Sequence, residues 1–440
     1  MTQIGVVGLG YAGYPLAVSF AESGFSVVGY DVDEEKVDAL RSGDHSLAEA
    51  TGAEAARLTH TSEPERLSAC GTVFVSVPTP ITESGEPDTS AVREAGRTIG
   101  AHLSEDTTVV LQSTIYPGGT RRELVPAIEE ASGWTAGEEF SVGYAPERSS
   151  PGAETRDIEE IERCVAAQDA ASRARIRRLF ETVLDAPVHP VATIEACEAA
   201  KCLENVQRDV NIALVNEFAM ACERVEALDA DEVLRAAATK WNFHSYRPGL
   251  VDGHCIPVDP HYLIHRFEEA DYSPELMKTA RRVNDRAADH VVELTCDALA
   301  QRPQVVADGG VDGRPTVPAR GSSNDVLAVG LTYKSGADDL RVPTRRRAIA
   351  ELSERQGDVV GYDPHASPAA AAETFDVPIQ AELDPEGFDA LVVFTDHELV
   401  RRLDLDRVSR AMSENPVLVD ATQSIDRGAA RERGFIVRGM

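Results

Sequence analysis

At 440 residues, 42% of them hydrophobic, the chain is long enough for two or three domains with real cores. Its net charge of −31 excludes nucleic acid and anionic membranes as expected partners, because both are themselves negatively charged. Seven scattered cysteines, an odd number in a long chain, fit free thiols of a reducing cytoplasm rather than a disulfide framework.

The N-terminus enters a strand at once, with no charged leader and long apolar stretch, so no secretory signal is expected. No apolar run reaches the ~18 residues that a membrane-spanning helix requires. Ile4-Gly-Val-Val-Gly reads as a buried strand, and Gly8-Leu-Gly10-Tyr11-Ala12-Gly13 opens a helical stretch from Pro15 to Ser23. Ser26-Val-Val-Gly-Tyr-Asp31 reads as a second strand ending in an acid. A lone Gly-x-Gly-x-x-Gly is weak evidence, but strand, glycine turn, helix and strand ending in Asp form a dinucleotide-binding unit. Gly8 permits the tight turn, Gly10 lets backbone approach a pyrophosphate, and Gly13 lets helix pack on strand. Asp31 would accept from the ribose hydroxyls and repel a 2′-phosphate, which favours NAD over NADP. Lys36 is either an aid at the adenosine end or a solvated charge on a helix face.

Further α/β units follow. Thr72-Val-Phe-Val-Ser-Val and Thr108-Val-Val-Leu-Gln-Ser are continuous apolar runs of the kind that parallel sheets use. Their ends carry Pro78, Thr79, Ser113 and Thr114, and a third end, after Phe140, carries Glu147 and Arg148. Loops at the carboxyl ends of such strands are where open sheets bind ligands.

Residues 194–227 read as one long helix, with Leu203, Val206, Val210, Leu214, Phe218 and Cys222 on an apolar side. Lys201, Asn205 and Arg208 share a polar stripe, and apolar neighbours would partly enclose Lys201. A helix this long between two domains is a natural dimerisation element. The prolines and glycines of residues 248–262 exclude a regular helix there, which puts Cys255 on a shaped loop with Asp259 four residues on. Thiol and carboxylate on one fixed loop could support covalent catalysis with water activation. The alternative is a buried, inert cysteine. A metal site is not expected, because His261 and His265 lack the Glu of a His-Glu-x-x-His pair and no Cys-x-x-Cys occurs.

Helical segments should run from about Ser273 to Leu299. Residues 301–325, rich in Pro, Gly, Asp and Ser, read as a mobile linker. Four apolar runs after Val326 then read as a second parallel sheet, with Lys334 directly after the first and Arg341 close by. The expected fold is α/β, two Rossmann-like, doubly wound parallel-sheet domains joined by a long central helix and a helical region. The boundaries are 1–193, 194–300 for the helical part, 301–325 for the linker and 326–440. Only five of the 43 basic residues are lysines, and an acidic, lysine-poor surface fits a high-salt interior.

Taken together, these residues resemble the nucleotide-sugar 6-dehydrogenases, the family of UDP-glucose and UDP-N-acetylhexosamine dehydrogenases. The resemblance spans nearly the whole chain. It rests on Gly8-Leu-Gly-Tyr-Ala-Gly, Val77-Pro-Thr-Pro, Ala145-Pro-Glu-Arg, Lys201 with Asn205, Asn211-Ile-Ala-Leu-Val-Asn-Glu, Gly253-His-Cys-Ile-Pro-Val-Asp and Gly330-Leu-Thr-Tyr-Lys. Thr239-Lys-Trp-Asn-Phe and Arg247-Pro-Gly-Leu-Val are similar to the UDP-N-acetylhexosamine branch. Two departures stand out: Asp252 where the family has Gly, and Thr344-Arg-Arg-Arg where it more often has Ser-Pro-Ala.

The resemblance implies a four-electron oxidation of a sugar C6 alcohol to a carboxylate with two NAD per turnover. UDP-N-acetyl-D-mannosamine, or its glucosamine counterpart, is the lead substrate, and UDP-glucose is the alternative. It implies Cys255 as nucleophile, Lys201 and Asn205 on the alkoxide, Asp259 with Glu147 at the water, and Thr114 holding the reacting centre. The cofactor would meet Gly8, Gly10, Tyr11, Ala12, Gly13, Asp31, Lys36, Pro78, Thr79, Ser113, Thr114 and Glu147. The UDP-sugar would meet Glu147, Arg148, Lys201, Asn205, Arg208, Gly253, Lys334 and Arg341, with Arg247 arriving from the partner of a homodimer. A non-catalytic nucleotide-sugar sensor would need no Cys255, Lys201 or Asp259. A single-step dehydrogenase would leave Cys255 and the last domain unexplained.

Overall fold

The computed structural model describes residues 3–44, 47, 57–82, 84–148, 158–225, 227–302 and 324–440. The predicted linker, save for its ends, lies outside them. The chain divides into two compact units, one of residues 1–150, 154–206 and 258–274, the other of 151–153, 207–257 and 275–440.

The first unit holds an eight-stranded sheet. In chain order its strands are β1 (Gln3–Val7), β2 (Val27–Tyr30), β3 (Leu58–Thr61), β4 (Cys70–Val75), β5 (Thr108–Leu111), β6 (Ser141–Tyr144), β7 (Arg163–Ala167) and β8 (Val188–Pro190). They lie side by side as β3-β2-β1-β4-β5-β6-β7-β8. From β3 to β6 every pair is parallel, which requires helical crossovers and buries both faces. Ile4, Val6, Phe74 and Val110 on one face pack with Leu16, Phe20 and Phe180 from helices. The one reversal, β7 antiparallel to β6, departs from an all-parallel sheet. Short helices start where the sequence provides caps: Asp33 accepts from Lys36 N, and Asp169 from Ala171 N and Ser172 N.

The second unit holds a five-stranded, all-parallel sheet of β9 (Val326–Val329), β10 (Val359–Tyr362), β11 (Ala390–Val393), β12 (Val417–Asp420) and β13 (Ile436–Gly439), ordered β10-β9-β11-β12-β13. Strand alternation sends Val326, Ala328, Val392 and Val419 into one core and Leu327, Val329, Leu391 and Leu418 into another. The sheet is covered on both faces, as the continuous apolar runs require.

The two sheets repeat one device. Val7-Gly-Leu and Val329-Gly-Leu leave their strands through a left-handed glycine, Gly8 at φ +92° and Gly330 at φ +83°. Each turn is followed in the neighbouring strand by Val-Val-Gly-Tyr-Asp, at 27–31 and 359–363. Asp31 Oδ2 accepts from Leu9 N at 2.8 Å, and Asp363 Oδ2 from Leu331 N at 2.7 Å and Thr332 N at 2.9 Å. This shared turn is legible in the sequence once the two strands are set side by side.

Two expectations need correction. The long helix runs Ile194–Cys222, but Leu203 and Leu214 of its predicted inward side are 53% and 64% exposed. The face covered within the chain carries Cys202, Val206, Asp209, Ala213, Asn216 and Ala219, small or hydrogen-bonded residues that allow close approach. Asp209 receives Asn284 Nδ2 at 2.7 Å and the Arg281 guanidinium at 2.5 Å, and Asn216 bonds Asn284 at 2.9 Å. Val206 and Cys222 of the predicted side are buried as expected, and Val210 and Phe218 pack against small cores, so the covered face overlaps the predicted one and is turned from the leucines toward this polar network. The second correction concerns residues 248–262. A helix, Asp259–Glu268, begins inside that stretch, with Pro260 in its first turn. There the missing N–H has no intrahelical role and the fixed φ suits the helix. Among the described residues, no helix is long and apolar enough to cross a membrane.

Candidate active site

In the first unit, the parallel order reverses between β1 and β4, the position where open sheets leave a crevice at their carboxyl ends. Gly8 sits there in a left-handed turn, and a Cβ on it would lie 2.3 Å from Ser76 O. A Cβ on Gly13 would lie 1.9 Å from Gly8 O, so the helix can approach its strand only as glycine. Gly10 differs: a Cβ there would meet nothing within 4 Å, so its backbone faces open space. Backbone N–H groups, open space and a helix N-terminus suit a pyrophosphate. Tyr11 is 49% exposed beside it, and Ala12 caps the helix.

Asp31 is buried. Besides Leu9 N, it accepts from Asp33 N at 3.1 Å and Lys36 Nζ at 3.1 Å, which places Lys36 on the acid rather than in solvent. A carboxylate with about four acceptor sites keeps capacity for ribose hydroxyls. Across the crevice, Ser113 Oγ accepts from Val77 N at 2.9 Å and donates to Val77 O at 2.7 Å, fixing the turn that carries Pro78 and Thr79. Tyr262, which sequence reasoning missed, donates its hydroxyl to Thr79 O at 2.7 Å. Thr114 is half-buried beside Ser113.

The same unit gathers three more predicted residues. Lys201 and Asn205, one turn apart on the long helix, converge on Asp259. Asn205 Nδ2 donates to Asp259 Oδ2 at 2.5 Å, and Lys201 Nζ stands 3.7 Å from the same oxygen. The Lys201 and Asp259 side chains are 10% and 3% exposed, so the predicted enclosure of Lys201 holds. Asp259 opens its helix, where the unpaired N–H groups favour a carboxylate. Tyr144, fully buried, feels Asp259 among its neighbours, and burial pushes its hydroxyl well above the usual tyrosine range.

Glu147 is held from several sides: Gln112 Nε2 and Arg163 Nη1 donate to Oε2 at 2.9 Å each, and Arg148 N donates to Oε1 at 2.8 Å. Arg163 is fully buried on β7, stacked 5.3 Å over Phe180, a position no sequence pattern marks. Arg148 turns to the long helix and pairs with Glu204 at 2.8 Å. His265, one of the rejected metal candidates, pairs with Glu86 at 2.7 Å.

In the second unit, Cys255 is half-buried on the bend that precedes residue 258. His254 Nδ1 lies 3.6 Å from Asp339 Oδ2, longer than a hydrogen bond yet close enough for an ion pair. Asp339, then Cys255, favour the imidazolium and raise its pKa to about 9. Arg341 grips Asp339 in a fork, at 2.9 Å to Oδ1 and 2.5 Å to Oδ2. Lys334 is half-buried, and burial followed by the charge of Arg208 holds its ammonium below the usual lysine range. Arg208 itself is exposed, as is Arg247, which lines a cleft of about 470 Å³ with Arg235, Arg427 and Arg431. Gly253 has φ +87°, a conformation that favours glycine.

The UDP-glucose/GDP-mannose dehydrogenase family matches with its NAD binding domain at residues 2–184, its central domain at 195–286 and its UDP binding domain at 327–427. The chain is 34% identical over 427 residues to a UDP-N-acetyl-D-glucosamine 6-dehydrogenase of Pseudomonas aeruginosa, covering 96% of this chain and 97% of that one. It is 29% identical over 448 residues to a UDP-N-acetyl-D-mannosamine dehydrogenase of Pyrococcus horikoshii, covering 100% and 99%. A solved structure of a UDP-D-ManNAc dehydrogenase from Pyrococcus horikoshii matches with a TM-score of 0.84 at 27% identity, covering 100% of this chain and 99% of that one. The turn around Gly8, Gly10 and Asp31 fits the NAD that the first domain indicates. Three family domains in order along the chain, and relatives matched nearly end to end, make this protein a member of the UDP-glucose/GDP-mannose dehydrogenase family.

Proposed function

We propose that this enzyme oxidises the C6 alcohol of a UDP-N-acetylhexosamine to the carboxylate, with UDP-N-acetyl-D-mannosamine as lead substrate and the glucosamine sugar next. The observation that carries the reading is the buried convergence of Lys201 and Asn205 on Asp259, four residues along the chain from Cys255. A sensor that only binds nucleotide sugar has no use for such a charged cluster, which is costly to bury. Bound NAD supplies the hydride acceptor for each of the two oxidations. Lys201 and Asn205 hold the alcohol oxygen and stabilise the negative charge that develops on it. The Cys255 sulfur adds to the aldehyde carbon, and oxidation of that thiohemiacetal leaves a thioester. Asp259 takes a proton from the attacking water, with Glu147, held by Arg163 and Gln112, as a second acceptor. Hydrolysis returns the thiol and releases the acid.

In this reading residues 1–193 bind the cofactor, with Tyr11, Ala12, Pro78, Thr79, Ser113 and Thr114 around it, and residues 326–440 bind UDP through Lys334 and Arg341. Arg148, Arg208 and Gly253 serve the sugar nucleotide, and Arg247 reaches it from the second subunit of a homodimer. Exposed Leu203 and Leu214, about three turns apart on one side of the long helix, support that dimer. The free thiols and the NAD requirement support a cytoplasmic location, the charge of −31 supports a high-salt interior, and the acid product suits surface-glycan synthesis.

The test is the stoichiometry of NADH formed per UDP-sugar consumed, over a panel of UDP-sugars, in wild type and Cys255→Ala. Two NADH per acid is expected of the wild type. The Cys255→Ala variant should make no acid yet still reduce the 6-aldehyde with NADH. Acid from that variant at the wild-type rate would refute the covalent route.

A further inference from the structure

The loop that carries Cys255 is anchored by a buried ion pair that the proposed reaction does not use. Asp252, its side chain fully buried, directs Oδ1 to Thr344 N at 2.8 Å and Oδ2 to Arg345 N at 3.3 Å. It thereby caps the helix Pro343–Arg355, whose own N-cap residue, Val342, has no side chain able to do so. The Arg345 side chain is 4% exposed and stands with Nε 3.7 Å from Asp252 Oδ2. Its other nitrogens donate to the carbonyl oxygens of Thr332 and, at 3.2 Å, Tyr333. Nε itself makes no hydrogen bond, so charge rather than a direct bond joins it to Asp252.

The neighbours of Asp252 are tied to the same region. Thr344 Oγ1 donates to Val251 O at 3.2 Å, and Gly253 N donates to Arg341 O at 3.1 Å. A Cβ on Gly253 would stand 2.9 Å from the Tyr333 ring. Three successive positions before His254 and Cys255 are therefore fastened to residues 332–345, all within the second unit. Thr332 and Tyr333 directly precede Lys334 at the carboxyl end of β9, where an open sheet takes its ligand.

We propose that Asp252 and Arg345 are a positioning pair that couples occupancy of the nucleotide site at the end of β9 to the seat of Cys255. Arg345 is the mechanical link: one guanidinium holds the backbone of the nucleotide-binding segment and balances the carboxylate of the nucleophile loop. Movement of the Thr332–Lys334 backbone on binding is transmitted to Asp252, and from there to the thiol three residues on. The proposal rests on the reading of Cys255 as nucleophile and of the last domain as the UDP site.

The experiment measures alkylation of Cys255 by iodoacetamide, read by peptide mass on the full-length protein, with and without saturating UDP. In wild type, UDP should change the rate about fivefold or more, the lower range for coupled sites. Asp252→Asn alone leaves a buried guanidinium uncompensated and is a poor folding risk. The decisive variant is therefore the double Asp252→Asn/Arg345→Gln, which removes both charges. Arg345→Lys serves as a second variant that keeps the charge and loses the fork. Both should bind UDP with near wild-type affinity by calorimetry, while the effect of UDP on alkylation disappears in the double variant and shrinks in Arg345→Lys. A double variant that binds UDP and keeps the wild-type rate change overturns the proposal, as does a wild type in which UDP has no effect. Loss of UDP binding in both variants also overturns it, by making Arg345 a ligand contact. Acid formation by Cys255→Ala would strike the nucleophile reading and leave these rate ratios untouched, so the two failures are separable.

Discussion

Replacing Asp259 with Asn removes one charge at nearly constant shape, and the structure indicates how much that matters. The carboxylate is 3% exposed and the Lys201 side chain 10%, with 3.7 Å between Nζ and Oδ2. Water reaches neither well, so the substitution leaves an ammonium beside a neutral amide in a poorly solvated place. Breaking such a pair from one side costs about 3–5 kcal/mol. The amide oxygen can still accept from Asn205, which argues for the lower end, about 3 kcal/mol. For a unit of this size each kcal/mol moves Tm by about 2–4 °C, so Asp259→Asn should melt about 6–12 °C lower. Adding Lys201→Met removes the ammonium as well and should restore most of that loss, giving a coupling of about 2 kcal/mol between the two positions. Calorimetric melts of wild type, both single variants and the double variant measure it. Equal Tm in Asp259→Asn, or a double variant that loses the sum of the single effects, would refute the buried-pair reasoning.

Three other outcomes are expected. Asp31→Arg should lower the preference for NAD over NADP by about 10–100-fold in kcat/KM, the value of a hydrogen bond to a charged group; an unchanged ratio would remove Asp31 from the ribose. The His254 imidazolium, raised from 6.5 to about 9 chiefly by Asp339, contributes stability that is full below pH 6.5 and lost as pH rises through about 9. Tm should therefore fall across that window, and Asp339→Asn should flatten the slope; a wild-type profile flat from pH 6.5 to 9 would contradict the pairing. If the charge of −31 is a high-salt surface, Tm should climb steeply from dilute buffer to molar KCl as ions screen self-repulsion. The same Tm in both buffers would mark an ordinary acidic enzyme.

The sequence by itself determined the parallel strands at the centre of both sheets, the dinucleotide turn and the loop position of Cys255. Each of these is a local matter. Continuous apolar runs signal strands buried on both faces, and Gly8 and Gly13 answer backbone requirements that only glycine meets. Lys201 and Asn205 were legible as one stripe because helical spacing puts them there. Only the tertiary structure brought Asp259 to them, because that contact joins positions 54 residues apart. Periodicity found only part of the inward face of the long helix, with Val206 and Cys222 buried as expected. Leu203 and Leu214 carry the hydrophobic signal, yet Asp209, Asn216, Arg281 and Asn284 settle the packing through hydrogen bonds that no one-dimensional pattern encodes. The partnership of Asp252 with Arg345 is of the same kind. Each looks like an isolated departure in the sequence, and their connection depends on a fold that places residues 93 apart against one another. Local backbone chemistry is written residue by residue, whereas the pairing of buried polar groups is decided by which distant segments the cores bring together.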